Sequence, residues 1–249
     1  MSGQAGPGKV ARVRLSGVRP RVGILISGRG SNMAALLRAA EAPGYPAEIG
    51  LVLSNRADAP GLAVARAAGV PVAVVESRGR DKAEFEAAMD AAFVRHGIGL
   101  LALAGFMRVL TAEFCRAWQG RLVNIHPSLL PAFRGLDTHA RALAAGVRLH
   151  GCTVHLVTPG VDEGPILAQA AVPVLRDDTE ATLAARVLEQ EHRLYPAALG
   201  WLAAGRVRVL GDVAEIDADC ADGAADAALA NPLPLPAALP TTGATGVSG

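Results

Sequence analysis

Residues 22–32 read VGILISGRGSN. Val22 to Ser27 is a short, nearly all-apolar run, the pattern of a strand buried on both faces. The turn Ser27-Gly28-Arg29-Gly30-Ser31-Asn32 follows at once, and Asn32 to Ala40 reads as a helix. Downstream the same alternation continues. Strands are expected at Glu48 to Ser54, Val70 to Val75, Leu100 to Ala104 and Leu122 to Ile125, with helices at Gly61 to Ala68 and Asp81 to His96. This rhythm predicts an α/β fold, a Rossmann-like, doubly wound, mostly parallel sheet with helices on both faces. The C-terminal half breaks the rhythm. Thr138 to Ala145 reads as a helix, Cys152 to Thr158 and Ile166 to Val174 as strands, Thr179 to Ala204 as a long helix and Val207 to Leu210 as a last strand, an antiparallel addition to the sheet.

The glycine turn has chemical meaning. Glycine lets the backbone turn sharply and approach a ligand closely, and the helix behind it points free N–H groups and a positive dipole end at the turn. Met33 interrupts G-x-G-x-x-G, and Asn55 stands where a dinucleotide site would carry an acid at the end of the second strand. A monophosphate fits the turn better than a dinucleotide. A plain turn capped by Ser31 or Asn32 is the competing reading.

A second candidate is Asn124-Ile125-His126-Pro127-Ser128-Leu129-Leu130-Pro131, after the fifth strand. Residues two apart on a strand face the same side, so Asn124 and His126 point together. A carboxamide donor suits a developing oxyanion, and an imidazole handles protons near neutral pH, which together fit acyl transfer to an amine. A capping Asn beside a structural His is the alternative. A third candidate is the loop Thr158 to Pro165, whose Asp162 would favour the charged form of His126 if it came close; His155 on the preceding strand would line the same cavity. A solvated turn is the alternative for that acid.

Composition excludes several classes. Lys plus Arg is 24 against 23 for Asp plus Glu, which argues against a nucleic-acid surface. Cys115, Cys152 and Cys220 are far apart and form no C-x-x-C pair, so neither a disulfide framework nor a thiolate zinc site is expected. The six His follow no H-E-x-x-H pattern, and no metal is expected. No apolar run is long enough for a membrane span, no signal-peptide core is present, and a cytoplasmic location follows as the expectation. Residues 1–20 read as a flexible leader, 21–210 as the working domain and 211–249 as a low-complexity, disordered tail with Pro232, Pro234, Pro236 and Pro240.

Four motifs in order, residues 26–32, 104–110 (AGFMRVL), 124–131 (NIHPSLLP) and Asp162-Glu163-Gly164-Pro165, resemble the phosphoribosylglycinamide formyltransferase family over roughly residues 21–210. The resemblance implies an enzyme of purine biosynthesis that moves a formyl group from 10-formyltetrahydrofolate to the amine of glycinamide ribonucleotide through a tetrahedral intermediate. It implies Asn124, His126 and Asp162 as the catalytic trio. Gly30, Ser31 and Asn32 would hold the acceptor's phosphate and Glu191 its ribose. Met107, Arg108, Val109 and Leu110 would line the folate pocket, joined by Lys82, where the family usually has Arg. The partners implied are small molecules, with neither nucleic acid nor membrane, and the protein would be a monomer or homodimer. A formyltetrahydrofolate hydrolase-like enzyme and a non-catalytic nucleotide-binding module are the alternatives; the first would turn over without an acceptor and the second not at all.

Overall fold

A computed structural model describes residues 10–12 and 19–217 of the chain. In chain order the elements are β1 (Val10–Arg12), β2 (Arg21–Ile26), α1 (Ser31–Glu41), β3 (Glu48–Ser54), α2 (Gly61–Ala67), β4 (Val72–Val74), α3 (Lys82–Arg95), β5 (Leu100–Leu103), α4 (Ala112–Ala117), β6 (Leu122–His126), α5 (Thr138–Ala144), β7 (Leu149–Leu156), β8 (Ile166–Pro173), α6 (Glu180–Ala203), β9 (Val207–Leu210) and β10 (Val213–Ile216).

Seven strands form one sheet in the order β4-β3-β2-β5-β6-β7-β8. The first five are parallel, and β7 and β8 join antiparallel to β6 and to each other. The expected fold class is therefore the observed one. The chain winds outward from β2 to β3 and β4, then returns to β5 on the other side of β2. The loops leaving β2 and β5 diverge there, which opens a crevice at the carboxyl ends of these strands.

Alternation along the strands supplies both faces. Ile24 and Ile26 pack on one side with Met33 and Leu36 of α1 and Leu194 of α6. Leu25 and Leu101 point to the other side, where Phe85, Met89 and Phe93 of α3 and Trp118 after α4 close the second layer. All of these side chains are buried, so the parallel strands are covered on both faces. The buried Tyr195 hydroxyl shares its proton between Leu103 O at 3.0 Å and Val123 O at 3.1 Å, tying α6 to β5 and β6.

Several boundaries differ from the sequence expectation. β7 starts at Leu149, ahead of Cys152, and the short helix α4 was not anticipated. Its six residues are too few for a helical period to emerge. A second, three-stranded antiparallel sheet pairs β1 and β10 with β9. Ordered structure thus crosses both expected domain limits: Val10–Arg12 lies within the supposed leader and Val213–Ile216 within the supposed tail. Segments this short carry no apolar run to reveal them, and they are fixed by pairing with β9. The remaining leader and tail, residues 1–9, 13–18 and 218–249, lie outside the described residues.

Candidate active site

The glycine turn after β2 is built around two close approaches. Gly30 caps α1 with φ 73°, a left-handed conformation that side chains with a Cβ disfavour. Its own carbonyl accepts Ala34 N–H at 2.9 Å, which leaves the first N–H groups of α1 directed into the turn. Gly61 opens α2 against the turn. Its N–H donates to Gly28 O at 3.1 Å, and a Cβ there would lie 2.7 Å from Ile26 Cδ1 and 3.0 Å from Gly28 O. The Ser27 hydroxyl donates to Asn55 Oδ1 at 2.7 Å and accepts Met107 N–H at 2.8 Å. Three strand ends are thereby fixed around an open cleft of about 810 Å³ that holds Gly30, Ser31, Asn32, Met107 and Arg108 in its lining.

Glu191 reaches this region from α6. It is buried, and Asn32 Nδ2 donates to its Oε2 at 2.6 Å. Burial pushes the Glu191 carboxyl up, only partly opposed by the hydrogen bond from Asn32. Asn32 lines the cleft, and its Oδ1 is buried without a hydrogen-bond partner.

Asn124 and His126 on β6 come together with Asp162 from the loop between β7 and β8. His126 Nδ1 lies 3.4 Å from Asp162 Oδ2, with side-chain exposures of 7% and 12%. His155 pairs opposite Asn124 across β6 and β7. Its Nε2 sits 3.3 Å from Asn124 Nδ2 and 3.6 Å from Asp162 Oδ1. His155 Nδ1 lies 3.0 Å from Leu156 O, and a carbonyl only accepts, so Nδ1 carries the proton. In that tautomer Nε2 accepts from Asn124 Nδ2 and orients its carboxamide.

Residues 133–137 form a strap over this cluster. His126 Nε2 lies 3.0 Å from Phe133 O, which by the same logic makes Nε2 the proton-bearing nitrogen. Nδ1 is left without the proton and faces Asp162. Gly135 N–H donates to Asp162 Oδ2 at 2.9 Å. Phe133 and Asp162 have φ of 54° and 53°, a conformation costly for such residues and frequent where loops are held for function.

The electrostatics refine one expectation. Burial holds the His126 imidazole below its ordinary value, against upward pulls from Phe133 O and Asp162, while His155 and Arg141 push it further down. The balance lies toward the neutral ring because burial wins, while Asp162 acts toward the charged form as the sequence reading expected. For Asp162 burial acts upward, but the neighbouring His155, the Gly135 N–H and the nearby His126 outweigh it, and the carboxyl stays below its ordinary range.

Other anticipated residues divide. Met107 and Val109 are exposed, at 69% and 65%, on the strap after β5, and Arg108 lies over the Phe85 ring at 5.8 Å. Leu110 is buried in the α3 and α4 layer, so its side chain packs the core instead of lining a pocket. Lys82 is exposed at the start of α3 and is not among the residues lining the large cleft. The trio does not line that cleft either; Asp162 borders a separate cavity of about 340 Å³ with Leu130, Pro131 and Arg134. Sequence reading missed the buried Glu86, whose carboxylate accepts Thr111 N–H at 2.7 Å and the Thr111 hydroxyl, anchoring the far end of the 105–110 strap. It also missed Phe133, Gly135 and Gly61. Only Gly61 had a signal, a glycine opening a helix. Among the described residues no group of three or more His, Cys, Asp or Glu is placed to hold a metal, and no helix is long and apolar enough to cross a membrane.

Comparison with known proteins agrees with this geometry. The profile of the family described as formyl transferase matches residues 20–199. The human trifunctional purine biosynthetic protein adenosine-3 is 45% identical over 192 residues, which cover 77% of this chain and 19% of the relative. The chain therefore spans about a fifth of the trifunctional relatives it matches. The phosphoribosylglycinamide formyltransferase of Escherichia coli K12 is 42% identical over 78% of this chain and 92% of its own. The crystal structure of glycinamide ribonucleotide transformylase 1 from Symbiobacterium toebii superposes with TM-score 0.78 at 44% identity, covering 81% of this chain and 95% of that one. With its sheet order, its glycine turn and a profile match over most of its length, the chain belongs to the formyl transferase family.

Proposed function

We propose that the protein transfers the formyl group of 10-formyltetrahydrofolate to the amine of glycinamide ribonucleotide, the step of purine biosynthesis carried out by the phosphoribosylglycinamide formyltransferases it resembles. The observation that carries this reading is the position of His126 between Phe133 O and Asp162, with the Asn124 carboxamide beside it.

The acceptor's phosphate meets the N–H groups of α1 behind Gly30, Ser31 and Asn32, where the dipole end favours an anion. Glu191, tied by its hydrogen bond to Asn32 of the turn, is the acid assigned to the acceptor's ribose. The 105–110 strap suits the folate: Met107 and Val109 offer apolar surface, and Arg108 is steadied over Phe85. Lys82 and Leu110 support this assignment least, one by its exposure and the other by its burial.

The reaction is attack of an amine on a formyl carbon. A carbon–nitrogen bond forms, the formyl oxygen takes up negative charge, and the bond to the folate nitrogen then breaks. Asn124 offers an N–H to the oxyanion, its carboxamide held by His155. Neutral His126 takes a proton from the attacking amine at Nδ1, and Asp162 stabilises the resulting cation. The same nitrogen returns the proton to the departing folate nitrogen, which balances the step without a metal. The reading includes small-molecule substrates only, a monomer or homodimer, and a cytoplasmic setting.

The test is turnover of 10-formyltetrahydrofolate, followed by absorbance, with and without glycinamide ribonucleotide. Acceptor-dependent turnover is expected. Turnover independent of the acceptor would instead identify a hydrolase, and none at all would indicate a binding module.

A further inference from the structure

The strap that fixes His126 and Asp162 is itself fixed from α5. The Arg141 guanidinium donates through Nη1 to Arg134 O at 2.5 Å and Leu136 O at 3.2 Å, and its carbon lies 5.7 Å from the centre of the Phe133 ring. One side chain therefore grips the strap at three consecutive features: the ring of residue 133 and the carbonyls of residues 134 and 136. The strap needs such a grip. Phe133, Gly135 and Asp137 have φ of 54°, 80° and 55°, so positive-φ residues alternate along it and no regular hydrogen-bond ladder can hold it. Arg134 itself adds an exposed ion pair with Glu163. From below, His150 meets the Phe133 ring edge-on at 5.9 Å.

The two groups delivered by the strap are those that define the acid–base pair. Phe133 O selects the Nε2–H tautomer of His126, and Gly135 N–H orients Asp162. We propose that Arg141 is a positioning residue: by holding the 133–137 strap it sets the tautomer of His126 and the orientation of Asp162, without touching substrate. The idea rests on the formyl-transfer reading for its kinetic consequence, but its structural consequence does not depend on turnover.

The guanidinium is suited to this task because its planar fork covers a ring and donates in several directions at once; a lysine ammonium donates from a single point. The titratable and charged groups around His126 are Asp162, His155, His139, His150 and Arg141 itself. Removing Arg141 takes away one positive charge that lowers the imidazole and also weakens the Phe133 bond that raises it. The titration midpoint is for this reason a poor discriminator, and the tautomer is the quantity to read.

The experiment uses the full chain with Arg141→Ala and Arg141→Lys. Nitrogen-15 NMR of the histidine ring above the titration range reports which nitrogen carries the proton. The wild type should show His126 in the Nε2–H form, Arg141→Ala a mixture of both tautomers, and Arg141→Lys an intermediate state. Amide exchange at Gly135 should quicken by about tenfold or more in the alanine variant as the strap opens. In the kinetic arm kcat should fall by about tenfold with both KM values within about twofold, and lysine should recover part of it. An unmixed Nε2–H tautomer with unchanged Gly135 exchange in Arg141→Ala would overturn the proposal. So would a fall in kcat that comes with loosened substrate binding, a melting point several degrees lower and no recovery by lysine. Should Arg141→Ala fail to fold, Arg141→Lys decides alone: wild-type tautomer and kcat would overturn the idea, and a mixed tautomer in a stable protein would uphold it. A wild type with no acceptor-dependent turnover would defeat the functional reading, and the tautomer and exchange results would still judge Arg141.

Discussion

Gly61 N–H donates to Gly28 O at 3.1 Å, so the start of α2 is pressed directly against the glycine turn that opens α1. Because a Cβ on Gly61 would fall 2.7 Å from Ile26 Cδ1 and 3.0 Å from that same carbonyl, the turn keeps its shape only while residue 61 has no side chain.

Gly30→Val should therefore weaken the acceptor much more than the folate. Valine is strained at φ 73°, and its Cβ would also lie 3.0 Å from Met33 Cε and 3.3 Å from Gly61 Cα. Gly61→Ala should have the same signature through the turn's displacement. Separate titrations with glycinamide ribonucleotide and a folate measure this; equal weakening of both ligands would show that the turn is no dedicated phosphate site.

Asn124→Ala should lower kcat by about 10²–10³-fold and leave both KM values nearly unchanged, since its N–H is used chiefly as charge develops on the oxygen. His155→Ala should give a smaller fall of the same type, because it orients that carboxamide from 3.3 Å instead of meeting the substrate. Steady-state kinetics on the two variants distinguish these roles, and an effect confined to KM would remove Asn124 from the oxyanion site.

Acid should destabilise the fold through histidines kept neutral. Burial lowers His126, His139 and His192, and burial together with His139 and His126 holds His150 at about 4. The unfolded chain takes up these protons near the ordinary 6.5, ahead of the folded protein, so stability is full above that pH and falls as the pH drops toward 4. For His150 alone the loss is at most about 3 kcal/mol. His150 and His139 are in contact, with Nε2 to Nδ1 at 3.2 Å. Replacing His150 by Asn should flatten the fall in melting temperature between pH 7 and 5. An equally steep fall in the variant would assign the acid sensitivity to other groups.

How far the sequence reveals the site follows from which contacts are local. The period of two on β6 places Asn124 and His126 on one side without any tertiary information, and the turn glycines announce a helix start open to an anion. The parallel sheet is legible because its strands are unbroken apolar runs. The strap contacts are not, since Phe133 O and Gly135 N–H are ordinary backbone groups whose targets depend on how a loop folds over a sheet. The same holds for His126: a nearby acid suggests a charged ring, whereas burial proves the larger influence. Leu110 shows a related limit, for the resemblance placed it with Met107 to Val109 at a ligand pocket, whereas its side chain belongs to the core cluster that contains Phe114.

Asp162→Asn tests the catalytic arrangement most directly. The amide keeps the size of the side chain but withdraws the charge that faces His126 Nδ1 at 3.4 Å. Asp162 pulls the imidazole upward against burial, so its loss should move the His126 titration to lower pH than in the wild type, and turnover should fall by about 10²-fold or more because the imidazolium formed during the reaction loses its counter-charge. Titration of His126 by NMR in both proteins, with turnover of 10-formyltetrahydrofolate measured on the same samples, gives the answer. A downward shift with collapsed turnover is the predicted result, and an unshifted His126 with near-normal turnover would contradict the account.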